Sequence, residues 1–238
     1  MRPLSVAFIL LLLSLPGSFH ARGAEDRILF QEDFQKPLGE RWKHVKFHEP
    51  TEYRIVPDGT NNCLMGFAKG GCSAFATKVE LAAEPGIACS WRWKIDHCPK
   101  DGLDDSIAAF DHSARVFVAF DTWIGPPRTI NYLWANRAAT NSTFDHPLSS
   151  RTKFIVVESG NEKAGQWLVE RRDLQKDWKL LFKDEPMPKI VGVGVFTDSH
   201  HTGAPITGWY EDIELSLPKP NGIVSHLATD ATQSSQKF

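Results

Sequence analysis

Along most of this chain apolar residues recur at every second position in short runs, the period of strands with one face buried. Such runs are Ile28–Phe34, Tyr53–Val56, Ile87–Ile95, Arg115–Asp121, Ile130–Asn136, Lys153–Glu158 and Trp167–Arg172. Cys63–Ala68 and Ser73–Val79 flank Lys69-Gly70-Gly71 and read as a hairpin. Ile190–Leu215 reads as two strands joined by a loop. Turn signals such as Pro57-Asp58-Gly59 and Gly125-Pro126-Pro127 punctuate the runs. Helical spacing occurs at Leu174–Phe182, through Trp178, Leu181 and Phe182. About a dozen short strands between turns predict an all-β fold. The architecture expected is a two-sheet β-sandwich, a concanavalin-like jelly roll, with at most one short helix.

The alternation also assigns faces. Cys89, Trp91, Trp93 and Ile95 share one face of their strand, opposite Ser90, Arg92 and Lys94, so both tryptophans are expected in the core. Val116, Val118 and Phe120 face the core, which leaves Arg115 and Phe117 on the other side. Val191, Val193 and Val195 face inward, and Gly192, Gly194, Phe196 and Asp198 face outward. Glycine within a strand marks a bulge or a close approach. The two glycines therefore clear a patch of sheet, either for a ligand or for another segment of the chain. Tyr132 and Trp134 share a face opposite Leu133 and Ala135, and their placement beside Arg115 and Phe117 completes an aromatic surface over that floor.

The ends differ from the middle. Arg2, the apolar run Val6–Leu15 and Ala21-Arg22-Gly23 fit a secretory signal over residues 1–23. Residues 24–217 form the expected single domain, and the polar, Pro-started residues 218–238 are expected to be a disordered tail. The expected location is the periplasm or the medium, with no membrane span once the signal is cleaved. The formal net charge is −2, or −4 without residues 1–23, which hold two arginines and no acid. No basic stripe points to nucleic acid. An exported chain permits disulfides among Cys63, Cys72, Cys89 and Cys98, and the pairing stays open.

Several segments carry a family resemblance when taken in order: Trp91-Arg-Trp-Lys94, Ala114-Arg-Val-Phe-Val118, Tyr132-Leu-Trp-Ala135, Trp167-Leu-Val-Glu-Arg-Arg-Asp173, Thr197-Asp198 and Tyr210-Glu-Asp-Ile213. The set resembles the secreted bacterial family called "domain of unknown function 3047", over residues 28–215. That family has no established function, so the resemblance implies no reaction. The chain departs from the family's acidic pairs at Asp111-His112, at His200 and at Tyr210-Glu211-Asp212, which removes support for a metal there. The opening Phe30–Phe34 with Trp42, and the closing Tyr210–Leu215, also resemble the ends of concanavalin-like and carbohydrate-binding jelly rolls. This is an analogy of fold, which does not transfer function.

Candidate chemistry is sparse. No nucleophile elbow, phosphate loop or dinucleotide fingerprint occurs. Aromatic faces with polar neighbours suit sugar rings. The expected ligand-binding set is Arg115, Phe117, Tyr132, Trp134, Glu170, Gly192, Gly194, Phe196 and Asp198. The function read from it is non-catalytic binding of a glycan or another polar ligand, with no cofactor. One alternative is a polysaccharide-active hydrolase or lyase using Glu170 and Asp198, which requires the two carboxyls to face each other. Another is a structural or partner-binding envelope protein. His200 and His201 beside Asp198 read as solvated loop residues. Calcium remains possible where the first and last strands meet, through Glu32, Asp33 and Asp212.

Overall fold

In the computed structural model, residues 26–183 and 185–219 are described, and they form thirteen strands and one α-helix. The expected signal segment and nearly all of the expected tail lie outside the described residues. The strands make two sheets, as a β-sandwich requires. The first sheet runs β11 (Leu168–Asp173), β6 (Ala88–Ile95), β13 (Ile206–Leu217), β4 (Asn61–Ala68) and β3 (Glu52–Asp58). Strand β1 (Arg27–Glu32) pairs with the far end of β13, so the first and last strands lie side by side. The second sheet runs β2 (Trp42–Lys46), β5 (Cys72–Leu81), β12 (Ile190–Asp198), β7 (His112–Phe120), β8 (Arg128–Ala135), β10 (Ser149–Ser159) and β9 (Thr143–His146). All pairings are antiparallel except β8 with β10.

The core between the sheets is built by the expected inward positions. Trp91 and Trp93 of β6 meet Val116 and Val118 of β7 and Val193 and Val195 of β12 in one cluster. Helix α1 occupies Leu174–Phe182, the span expected from its spacing. Asp173 caps it by accepting hydrogen bonds from the amides of Gln175 (3.1 Å) and Lys176 (3.0 Å). Its apolar side, Leu174, Trp178 and Phe182, joins the core.

Three local expectations are corrected. Lys69-Gly70-Gly71 does not close a hairpin, because β4 belongs to the first sheet and β5 to the second. The turn is a corner between sheets. Gly70 has φ +76°, and a side chain at Gly71 would approach the Thr51 backbone to 3.1 Å. The runs of alternation leave out two short edge strands, β9 in the polar stretch after Asn141 and β2 at Trp42–Lys46 on the opposite edge. The third correction concerns Tyr132 and Trp134, which are 0% and 1% exposed in the main core. Register places Val116 opposite Tyr132 and Ala114 opposite Trp134, so both aromatic residues point inward with the core side of β7. They meet Trp91 and Trp93 across the sandwich, at ring distances of 4.9 and 5.6 Å. Leu133 and Ala135 face outward, into a second apolar cluster with Phe110, Phe154 and Val156. The segment leading into β7 thus folds over part of the second sheet's outer face and brings Phe110 with it.

Candidate functional site

The outer face of the second sheet holds Arg115, Phe117, Gly192, Gly194, Phe196 and Asp198, as the alternation requires. It does not form the expected groove. A Cβ on Gly194 would lie 2.7 Å from the Phe117 ring, 2.7 Å from the Phe75 carbonyl oxygen and 2.8 Å from Ala76. Phe117 therefore fills the space that the glycine leaves. At Gly192 the nearest atoms are at 3.4 and 3.5 Å, ordinary contact distances.

Arg115 is buried at 4% exposure. One guanidinium nitrogen reaches Asp198 (3.2 Å), His112 Nδ1 (3.0 Å) and the Phe110 carbonyl (3.4 Å). The Phe196, Phe110 and Phe154 rings surround the guanidinium carbon at 4.6, 5.2 and 5.7 Å. Because Arg115 donates to Nδ1, His112 carries its proton on Nε2 and donates to Asp104 (3.2 Å). Burial, followed by the Arg115 charge, lowers the His112 pKa to about 4, so the ring is neutral at pH 7. Burial opposes ionisation of Asp104, but His112 and the amides of Asn136 and Ala138 outweigh it and lower its pKa to about 2. Asp111 is fully buried and accepts from His201 and the Thr202 amide. Burial raises the Asp198 carboxyl above its usual range, against the pull of Arg115. These bonds hold the loops around residues 104, 137 and 201 onto the sheet, while Arg115 Nε and the Asn136 side-chain oxygen are buried without a protein partner.

Glu170 is elsewhere. It pairs with Trp91 on β6 in the first sheet and accepts a bond from the Trp93 indole (3.3 Å). Burial and then Glu158 raise its pKa. Glu170 and Asp198 lie in different layers and do not face each other across a cleft, so the paired-carboxylate reading of these two residues is not met.

The strand ends named for calcium are occupied by protein donors. Glu32 accepts from Arg41, from the Trp42 indole (2.8 Å) and from the Phe34 amide (3.2 Å). Asp33 accepts from the Gln35 amide (3.0 Å), and Asp212 lies 3.7 Å from Arg92. Among the described residues no group of three or more His, Cys, Asp or Glu side chains converges as metal ligands. All four cysteines are free thiols. Burial is the main cause that pushes Cys63 up to about 11 and both Cys72 and Cys98 up to about 12.

The outer face of the first sheet is different. Tyr210 points into the core, so Trp209 points outward, between Lys94 of β6 and Met65 of β4. Trp167 stands at the start of β11, and both indoles are half-buried. The Lys94 ammonium sits between them, 4.8 Å from the Trp167 ring and 4.9 Å from the Trp209 ring. Asp58 accepts from the Trp167 indole (2.5 Å) and from Lys94 (3.3 Å). The Trp167 bond, aided by Lys94 against the effect of burial, holds its carboxyl below the usual carboxylate range. Arg92 lies 5.2 Å over the Trp167 ring and donates to Glu211 (2.6 Å). Val169 at 73% exposure, and exposed Arg54 and Glu52, show that this face is open to solvent. Sequence reading passed over these two tryptophans. The signal for Trp209 was its place directly before a core-facing tyrosine.

Comparison with solved structures gives distant likenesses. The CBM22-1 xylan-binding domain of Paenibacillus barcinonensis Xyn10C is 9% identical, with a TM-score of 0.43 over 82% of this chain and 97% of that one. The xyloglucanase domain of NopAA from Sinorhizobium fredii is 9% identical, with a TM-score of 0.43 over 79% of this chain and 99% of that one. The family 30 carbohydrate-binding module of a Clostridium thermocellum cellulosomal cellulase is 10% identical, with a TM-score of 0.43 over 81% and 100%. No curated protein matches the sequence. The model of the family described as "Protein of unknown function (DUF3047)" matches residues 40–214, most of the chain, and the chain belongs to that family.

Proposed function

We propose that this protein binds a glycan without transforming it, on the outer face of the first sheet. The observation that supports this is the Trp167–Lys94–Trp209 arrangement on an open sheet. A sugar ring presents apolar C–H faces and a rim of hydroxyls. Fixed indoles offer the complementary flat surface. Arg92 and Asp58 supply a donor and an acceptor at the rim, already oriented by the bond of Arg92 to the buried Glu211 and of Asp58 to Trp167. Preorganisation of this kind lowers the ordering cost of binding. The reading rests on this face and its chemistry, since fold analogy does not carry function.

The test is calorimetric titration of the protein with neutral oligosaccharides of different linkage. Trp209→Ala should weaken the binding of any responding sugar by about 1–3 kcal/mol, the range for a buried aromatic anchor. No response to any sugar, or an unchanged affinity in a folded Trp209→Ala variant, would remove the reading.

Export is part of the same proposal. Arg2, Val6–Leu15 and Ala21-Arg22-Gly23 support a protein that meets its glycan in the periplasm or the medium. N-terminal sequencing of the native protein should begin at Ala24 or Glu25, and an intact Met1 would contradict it.

A further inference from the structure

We propose that the loop between β7 and β8 docks the protein onto an anionic lipid surface, an interaction separate from the glycan face. Its tip carries Trp123 at 99% exposure and Ile124 at 75%. The loop is held in place. Thr122 donates to the carbonyls of Gly125 (3.0 Å) and Pro126 (3.1 Å), and Arg151 of β10 donates to those of Pro126 (3.2 Å) and Ile124 (3.3 Å). Gly125 has φ +91°, which glycine adopts without strain. Two large apolar side chains are thus presented to water on a braced turn. Leu148, 75% exposed, lies two residues before Ser150 on the same rim.

Beside the tip run two adjoining clefts of about 410 and 360 Å³ that share Arg128, Arg151 and Glu185. Their linings add Lys189, Lys153 and Lys183, so five cations stand against Asp121 and Glu185 of the lining and Asp145, which pairs with Lys153 (2.5 Å). Arg128 pairs with Glu185 and Lys189 with Asp121 (3.6 Å), whereas the donors of Arg151 go to carbonyls. Among the described residues the lining carries more cations than acids, although the whole chain is acidic.

A tryptophan and an isoleucine at the tip, with arginine and lysine behind them, match the layering of a bilayer interface. The apolar groups enter the acyl boundary and the cations meet lipid phosphates. A sugar platform needs an indole backed by the protein so that one face is offered, as Trp209 is. Trp123 has almost no contact behind it, and Ile124 has no donor or acceptor for a hydroxyl. No described helix is long and apolar enough to cross a membrane, and the contact proposed is a peripheral one through the loop tip.

The test uses the full chain and vesicles of phosphatidylcholine with or without phosphatidylglycerol. The acyl chains carry bromine, which quenches only indoles that reach them. The emission lost in Trp123→Phe reads the loop itself, whatever else in the chain touches lipid. That emission should be quenched by the anionic vesicles, less so by the neutral ones, and less again as salt is raised. Lys183→Gln and Lys189→Gln should each weaken the effect about fivefold. Unquenched Trp123 emission on anionic vesicles would overturn the proposal. So would a wild type that ignores vesicles but binds polygalacturonate through Trp123, or one that is a dimer where Trp123→Ser/Ile124→Ser is a monomer. Neutral-sugar binding through Trp209 is read separately, so either proposal can fail without the other.

Discussion

The two outer faces of the sandwich use the same residue types to opposite ends. On the second sheet, Arg115, Asp198 and three phenylalanines close on one another, and Arg115 is left 4% exposed. On the first sheet, Arg92, Lys94, Asp58 and two tryptophans remain half in water. An ion pair that is wholly desolvated is expensive to break and is sealed from a ligand by the chain that covers it. A pair that is partly solvated contributes little to folding but can exchange its water for a hydroxyl. Composition alone therefore does not mark a site. What matters is whether a second layer of chain covers the residues.

The comparison is tested most severely at Arg115. Arg115→Met should cost about 3–5 kcal/mol, because Asp198 is left buried without its partner. Chemical denaturation gives the value, and a loss below about 1 kcal/mol would show that the buried network is not structural.

Next in size is the glycine pair. Gly194→Val should destabilise by about 1–3 kcal/mol, since the Phe75 carbonyl cannot move aside as a side-chain tip could. Gly192→Ala should stay within about 0.5 kcal/mol, because its Cβ would meet only ordinary contacts. Equal effects at both positions would mean that Phe117 does not fill the space over Gly194.

The pH dependence sharpens the same contrast. The folded-state pKa of His112 is about 4, below its ordinary 6.5, so between those values the unfolded chain binds the extra proton. Stability should therefore be full above pH 6.5 and fall as the pH drops toward 4. His44 and His146, lowered mainly by burial, act in the same direction. Asp198, raised by burial, acts in the opposite one. The difference between wild type and His112→Gln isolates the His112 part. A pH profile unchanged by that substitution would contradict a buried neutral imidazole. Among the smallest expected effects is chelation: addition of a metal chelator should leave the melting temperature and any sugar affinity unchanged, because Glu32 is already held by Arg41 and Trp42.

Much of the architecture was readable from alternation, because β6, β7 and β12 each put a row of apolar residues on the core face and mostly polar or small residues, with Phe117 and Phe196, on the other. Val193 and Val195 are in the core for that reason. Strand β8 was not readable in the same way. Its outward side is mixed, polar at Thr129 and Asn131 but apolar at Leu133 and Ala135, which serve a second cluster, so the alternation fades in its second half and Tyr132 and Trp134 were placed outward. The Lys69–Gly71 turn misled for another reason. A glycine turn shows that the chain reverses, not whether the next strand pairs or crosses to the other sheet. Arg115 and Asp198 share a face by alternation and meet at 3.2 Å, but their burial depends on Phe110 and the loop before β7, which no local pattern places there. Trp167 and Trp209 are far apart in sequence and meet through Lys94 only once β11, β6 and β13 align. Trp123 did carry a local signal, a large aromatic residue just before Gly125-Pro126-Pro127, where a turn has no core to bury it.

The central claim is that the open face binds a glycan and the closed face does not. Calorimetric titration of wild type, Trp209→Ala and Phe117→Ala against one responding oligosaccharide tests it most directly. The account predicts an affinity loss of about tenfold or more in Trp209→Ala and none in folded Phe117→Ala. Binding abolished by Phe117→Ala and untouched by Trp209→Ala would contradict it.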